Sequence, residues 1–150
     1  MLLSVGRTGG MLLNLLVREA RSQRILELGT SYGYSAVWLA EAARATGGRI
    51  ISLDVAAYKQ AEAAKSLAEA GLDGLVEFQA GDALEIIPRL EGTFDFVFMD
   101  IWKDLYGRAW TWSIRSWRQA PCWWPTTCCA RSTPAPTPWS TAAASAPCPG

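Results

Sequence analysis

The chain has 150 residues, half of them hydrophobic, with 14 basic and 14 acidic side chains and no histidine. That length suffices for one domain with a sizeable core, and the zero net charge gives no electrostatic case for a nucleic-acid or membrane partner. No apolar run is long enough to cross a bilayer, Met1-Leu2-Leu3 is too short for a signal peptide, and Ser4 to Gly10 lacks a cleavage pattern, so a cytoplasmic body is expected.

Met11, Leu12, Leu15 and Leu16 recur at helical spacing and predict a helix from about Thr8 to Arg21. Ile25, Leu26 and Leu28 then make a short apolar run that reads as a buried strand. It ends in Glu27-Leu28-Gly29-Thr30-Ser31-Tyr32-Gly33, after which Ala36, Val37, Leu39 and Ala40 return to helical spacing as far as Thr46-Gly47-Gly48. Strand, glycine turn and helix form the first unit of a nucleotide-binding sheet, whose ligands sit at the carboxyl ends of the strands. Gly29 has no Cβ and is expected to let a ligand approach the backbone. The dinucleotide spacing G-x-G-x-x-G is absent. Glycines at 29 and 33 point instead to a nucleoside without a pyrophosphate, of which S-adenosylmethionine is the commonest.

Glu27 lies inside an apolar strand, where a bare carboxylate is costly. Two readings stand: a carboxylate that reaches water at the strand end, or a partner for a cationic ligand group such as an amino group or sulfonium. Ser35 reads as a first-turn helix residue, and Tyr32 and Tyr34 are expected to pack on the sheet. Arg49 to Asp54, RIISLD, is a second apolar strand closing on an acid. Ala56 to Ala70 is rich in Ala, Glu and Lys, with Gly71 as a helix stop. Leu75 to Gln79 is a third strand, and Gly81-Asp82-Ala83 starts a short helix with Asp82 as N-cap. Phe94 to Asp100, FDFVFMD, is a fourth strand, again closing on an acid. The alternation predicts an α/β fold, a Rossmann-like parallel sheet flanked by helices and incomplete after the fourth strand. Gly29, Asp54 and Asp100 should then meet at one sheet edge, with Asp54 placed to accept hydrogen bonds from ribose hydroxyls.

Composition changes after Tyr106. All four cysteines, six of eight tryptophans and seven of eight prolines fall there, and Gly107 to Gly150 holds no Asp, Glu, Lys, Leu or Val. Nothing else in the chain looks secreted, so a disulfide framework is not expected. The adjacent Cys128-Cys129 and the missing histidine also argue against zinc.

LELGTSYGYSAVWLA, RIISLD, GDALEIIPRL and FDFVFMDIWKDLY together resemble the cation-dependent O-methyltransferases, the family of the catechol and caffeoyl-CoA enzymes. The resemblance runs from about Ser4 to Tyr106, and the segment Asp100, Trp102, Lys103, Asp104, Tyr106 is nearest to the catechol enzymes. It implies that Val5, Glu27, Gly29, Thr30, Ser35, Asp54, Ala83 and Trp102 bind S-adenosylmethionine. It implies further that Asp100 is one of three ligands to a divalent cation, usually magnesium, and that Lys103 is the general base. A hard cation held by oxygen ligands would fix both oxygens of a vicinal diol and lower the hydroxyl pKa. A nearby lysine could then take the proton. The expected partner is a small hydroxylated acceptor, and the resemblance admits a homodimer.

The family continues with a strand ending in Asp-Asn, the other two cation ligands, and this chain has no such pair. Pairing the last base of each codon with the first two bases of the next recovers one. Cys122-Trp123 must give Leu, Trp123-Trp124 Val, Trp124-Pro125 Ala and Cys128-Cys129 Leu; Pro125 to Cys128 permit Asp-Asn-Met. The hidden reading is Leu-Val-Ala-Asp-Asn-Met-Leu, preceded at Arg118-Gln119-Ala120 by a permitted Pro-Gly turn. Residues 1–106 are therefore expected to form a partial methyltransferase domain, and 107–150 an irregular tail read in a shifted frame, the shift lying near Tyr106 to Arg108. A non-catalytic cofactor-binding fragment is the alternative. A nicotinamide-dependent reductase is disfavoured by the missing fingerprint and by DIWKDLY.

Overall fold

The computed structural model describes residues 5–101. Trp102, Lys103, Asp104, Tyr106 and the expected tail at 107–150 lie outside that range. Four strands form: β1 (Arg24–Leu28), β2 (Arg49–Asp54) and β4 (Phe96–Met99), which are mostly apolar, and β3 (Val76–Ala80), in which Glu77 and Gln79 alternate with apolar residues. They assemble into one parallel sheet in the order β3-β2-β1-β4. A strand buried on both faces has no need of polar alternation, and Ile25 to Leu28 are buried in unbroken succession.

Successive side chains of a strand point to opposite faces, and the two faces carry separate cores. Ile25 and Ile50 pack with Leu13, Val17, Leu39, Ala40 and Leu67, beneath α1 (Gly6–Glu19), α2 (Tyr34–Thr46) and α3 (Ala57–Glu69). Leu26, Leu28 and Leu53 pack with Ile87 and Phe94, where α4 (Ala83–Ile86) runs into a 3-10 turn at Ile87–Arg89. Each fully buried aliphatic side chain contributes roughly 1.5–3 kcal/mol. Helices α1 and α2 approach closely because Gly10 lies against the Trp38 indole, where a Cβ would sit 2.3 Å from the ring. Beside that contact Asn14 and Arg18 of α1 both donate to the Glu41 carboxylate of α2.

Several boundaries differ from the sequence reading by one or two residues: α1 spans Gly6–Glu19 rather than about Thr8 to Arg21, β3 ends at Ala80 rather than Gln79, and β4 ends at Met99 rather than Asp100. Leu75 belongs to a 3-10 turn at Asp73–Leu75 and β3 begins one residue later. Phe94 is not part of β4; it is buried in the second core, and the strand starts at Phe96. Asp82 caps α4 as expected, accepting from Leu84 N–H at 2.8 Å. Among the described residues β4 has β1 as its one neighbour, and no helix there is long and apolar enough to cross a membrane.

The amino-terminal edge of the sheet is tied by one carboxylate. Asp95 accepts from the Gln23 and Arg24 backbone N–H groups, each at 2.9 Å, and its own N–H donates to the Arg24 carbonyl at 3.0 Å. This fixes where β1 and β4 begin relative to each other. Asp95→Ala should lower unfolding free energy by roughly 1.5–3 kcal/mol, the range for hydrogen bonds to a charged group. Urea titration of the two chains measures it, and an unchanged midpoint would mean that the clamp adds nothing.

Candidate functional site

The chain leaves β1 for β2 on one side and reaches β4 on the other, so the sheet order reverses at β1. Ligands of open parallel sheets bind at the carboxyl ends of the strands beside such a reversal. There the Gly29 and Thr30 N–H groups both donate to the Leu53 carbonyl, at 2.8 and 3.2 Å, and Gly33 N–H donates to the Thr30 carbonyl. The loop carries φ of +99° at Gly29, +46° at Ser31 and +83° at Gly33. Gly29 is required by the protein's own packing. A Cβ there would stand 2.2 Å from the Asp100 carbonyl oxygen, so the close approach that the glycine permits is made by the protein's own β4 end.

Asp54 closes the loop from the neighbouring strand. Its Oδ2 accepts from Ser31 N–H at 2.7 Å and its Oδ1 from Ala56 N–H at 2.8 Å. The side chain is half-buried, and each oxygen keeps lone-pair capacity for a further donor. Val55, the next residue, is 77 % exposed, an apolar surface beside the acid.

Glu27 is wholly buried. Ser35 Oγ donates to its Oε1 and Ser52 Oγ to its Oε2, both at 2.5 Å. Ser52 Oγ lies 2.6 Å from Thr30 Oγ1, which in turn receives Gln60 Nε2 at 3.2 Å. With Glu27 ionised, the Ser52 proton is committed to the carboxylate, so Thr30 donates to Ser52 and the series runs Gln60, Thr30, Ser52, Glu27. Burial pushes the Glu27 carboxyl up from 4.5 to about 7; the Ser35 and Ser52 hydrogen bonds oppose that rise, and the charges of Asp100 and Asp54 add to it.

The structure thus brings Glu27, Gly29, Thr30, Ser35, Asp54 and Asp100 to one edge. Of the two readings of Glu27, exposure at the strand end does not hold. Val5 is half-buried against the α1–α2–α3 core, and Ala83 opens α4 half-buried against the other. Asp100 is exposed, with its N–H on the Leu28 carbonyl at 2.8 Å. Among the described residues no three His, Cys, Asp or Glu side chains are grouped to hold a metal ion. Tyr32 and Tyr34 do not pack on the sheet: they are 43 % and 42 % exposed, and the Lys59 ammonium lies 5.8 Å from the Tyr32 ring centre. Sequence reasoning missed Ser52, Gln60 and Val55. Polar residues set among apolar ones in RIISLD, and an apolar residue directly after its closing acid, were the available signals.

The Glu27 shift has a pH consequence. The folded chain holds a proton that the unfolded chain releases near 4.5. The stability this adds is full below about 4.5 and is lost as pH rises through about 7. The difference in unfolding free energy between the parent and Glu27→Gln chains should therefore shift against the parent by a few kcal/mol at most across that window. Urea midpoints of both chains from about pH 4.5 to about pH 8 measure it; parallel curves would mean that Glu27 titrates normally.

Known proteins resemble this chain in sequence and fold. A family model described as O-methyltransferase matches residues 1–119, extending past Tyr106. Catechol O-methyltransferase of Niastella koreensis is 37% identical over 117 residues, which cover 75% of this chain and 52% of that protein. Catechol O-methyltransferase of Mycobacterium tuberculosis is 37% identical over 115 residues, covering 75% and 51%. Among solved structures, the O-methyltransferase TomG from Streptomyces achromogenes, in complex with SAM, superposes with a TM-score of 0.74 at 40% identity, over 77% of this chain and 53% of that one. The O-methyltransferase from Bacillus cereus, in complex with SAH, gives a TM-score of 0.72 at 32% identity, over 77% and 54%. The chain spans about half the length of the proteins it matches. On a family match that covers more than three quarters of its residues, with relatives and structures agreeing, the chain belongs to the O-methyltransferase family.

Proposed function

We propose that this chain derives from an enzyme that transfers the methyl group of S-adenosylmethionine to a hydroxyl of a catechol-like small molecule with the help of a divalent cation. The observation that carries the cofactor reading is Asp54: a half-buried strand-end carboxylate that organises the glycine loop and keeps acceptor capacity toward the open edge. The complex of TomG with SAM supports the same reading.

The residues at this edge fit that cofactor. Asp54 would accept the ribose hydroxyls, and the exposed Val55 offers a face to the base. The Gly29–Gly33 loop would line the remainder of the nucleoside. Glu27 is held behind the loop by the Ser35 and Ser52 hydroxyls, and an ammonium or sulfonium brought to this edge would favour its ionised form. When bound, S-adenosylmethionine supplies an activated methyl group that needs in-line placement against an oxygen nucleophile. Lys103 as base, Trp102 beside the cofactor and Asp100 as a cation ligand complete the proposal. Asp100 by itself does not make a magnesium site, since such ions take several oxygen ligands. The missing pair corresponds to the Asp-Asn of the shifted frame.

Two outcomes are expected. Calorimetric titration should show S-adenosylmethionine binding and NAD not, and Asp54→Ala should weaken binding by roughly 1–3 kcal/mol, the cost of unpaired hydrogen bonds. Tighter binding of NAD would overturn the methyltransferase reading. Magnesium-dependent methylation of a catechol panel should be little or none for the 150-residue chain and should appear once the Leu-Val-Ala-Asp-Asn-Met-Leu frame is restored. Equal turnover by the two chains would refute the shifted frame.

A further inference from the structure

Helix α1 buries one side and leaves the other without cover. Leu13 and Val17 enter the core, Gly10 lies against the Trp38 indole, and Asn14 and Arg18 reach Glu41 of α2. At roughly 100° per residue, the opposite side carries Thr8, Met11, Leu12, Leu15, Leu16 and Glu19. Thr8 and Glu19 are exposed, and the four apolar side chains between them are 45–56 % exposed. Single exposed apolar residues are ordinary, but a contiguous patch marks an interaction surface.

The pattern of the stripe says what covers it. The steps along Thr8, Met11, Leu12, Leu15, Leu16 and Glu19 are 3, 1, 3, 1 and 3 residues, the same in either direction. An antiparallel copy therefore sets Met11 against the partner's Leu16, Leu12 against the partner's Leu15, and Thr8 against the partner's Glu19. The axis passes between Leu13 and Asn14, and every contact occurs twice. That is the self-complementarity a two-fold interface needs.

Charge selects the same arrangement. Glu19 is the last residue of α1, and Arg7 stands in its first turn. Both oppose the helix dipole, which favours anions at the N-terminal end and cations at the C-terminal end. Neither side chain has an ion pair among the described residues. Val5, at the N-cap, offers no side-chain partner to the first-turn N–H groups. In an antiparallel pair each Glu19 arrives at the partner's first turn, beside Arg7, Thr8 and those N–H groups. The misplaced charges of one helix are then compensated by those of the other. An arbitrary apolar cover would have no use for a carboxylate in line with the leucines.

We propose that α1 is a dimerisation surface that takes the α1 of a second copy of this chain, antiparallel, with Met11, Leu12, Leu15 and Leu16 packed between the helices and the partner's Glu19 against Arg7 at each end. Helices packed in this way lie roughly 8–10 Å apart. One helix per copy makes a contact smaller than the roughly 1,600 Å² of a standard interface, so the dimer should be weak, with a dissociation constant on the order of micromolar. The interface uses no residue of the Gly29–Asp54 loop and stands apart from the cofactor reading.

Sedimentation velocity of the 150-residue chain over roughly 1–200 μM should show monomer passing into dimer. Leu12→Glu, at an exposed position that leaves the core untouched, should raise the dissociation constant about tenfold or more. Arg7→Glu and Glu19→Arg should each weaken self-association about fivefold or more, because each sets like charges together at both ends. Mixed in equal amounts, these two variants should pair as tightly as the parent does, since each charge then meets its opposite in the other chain. Circular dichroism of each variant reports its fold. The proposal is overturned if the chain stays monomeric throughout, which would leave the stripe to a different partner. It is equally overturned if Leu12→Glu associates as the parent does, or if the mixed charge variants fail to recover.

Discussion

A carboxylate with no access to water sits in the middle of the central strand, and the surrounding architecture depends on keeping it satisfied. An unpaired buried charge would cost far more than one side chain's packing can return. Glu27 meets that cost with two hydroxyls, Ser35 from the first turn of α2 and Ser52 from β2. Each fixes an element. Ser35 sets where α2 starts and how it is rotated, and Ser52 sets the register of β2 beside β1, where Glu27 and Ser52 are direct partners. Gln60 extends the tie to α3, since its amide also donates to the Ser52 and Gln79 carbonyls. Helix α3 can come that near because Gly33 has no Cβ; one there would lie 2.5 Å from the Ala63 methyl. One acid thus coordinates β1, β2, α2, α3 and, through Gln79, β3.

The glycine loop rests on this network and on a second carboxylate of different character. Glu27 is held by hydroxyls inside the sheet, whereas Asp54 is held by backbone N–H groups at its rim. The first is stiff, dry and pushed toward neutrality. The second has no penalty from complete burial and faces the open edge. Two carboxylates one strand apart are driven to separate roles by environment alone, and Asp54, still able to accept, is the one suited to meet a ligand hydroxyl directly. A parallel sheet also divides its ends. Its carboxyl edge gathers Gly29, Asp54 and Asp100, and its amino edge is locked by Asp95, so the loop is mounted on a frame fixed at the far side.

Much of this architecture is legible in the sequence because β1, β2 and β4 announce themselves in the same way, by a mostly apolar run followed by glycine or an acid, whereas β3, VEFQA, carries only an alternating pattern. IISLD and FVFMD mark both the strands and the edge where their acids meet. The contents of the turns are less legible. Gln60 stands in an Ala-, Glu- and Lys-rich helix and reads as a solvent residue; only the packing of α3 shows that it faces inward. Gly29 reads correctly as a site of close approach, but sequence has no means of saying what approaches, and the answer is the backbone of residue 100, far along the chain. Tyr32 and Tyr34 mislead for the opposite reason. Aromatic rings are ordinarily buried for their area, and here the loop turns both outward.

The same strand grammar bears on the segment after β4. A central parallel strand must supply apolar side chains to both faces and N–H donors to both neighbours. Among the described residues β4 has a neighbour on one side only, and Phe96 to Met99 are all half-buried. Residues 107–150 as written contain no Leu, Val, Asp or Glu and include prolines at 121, 125, 134, 136 and 138. Proline cannot donate in such a ladder. The shifted frame supplies Leu-Val-Ala closing on Asp-Asn, an apolar run ending on an acid, as β2 and β4 do. We infer that the original gene encoded that strand next to β4, where its closing acid would stand beside Asp100 at the carboxyl edge. The ligands a cation needs, and the second ladder that β4 needs, would then be lost or restored together by one change of frame.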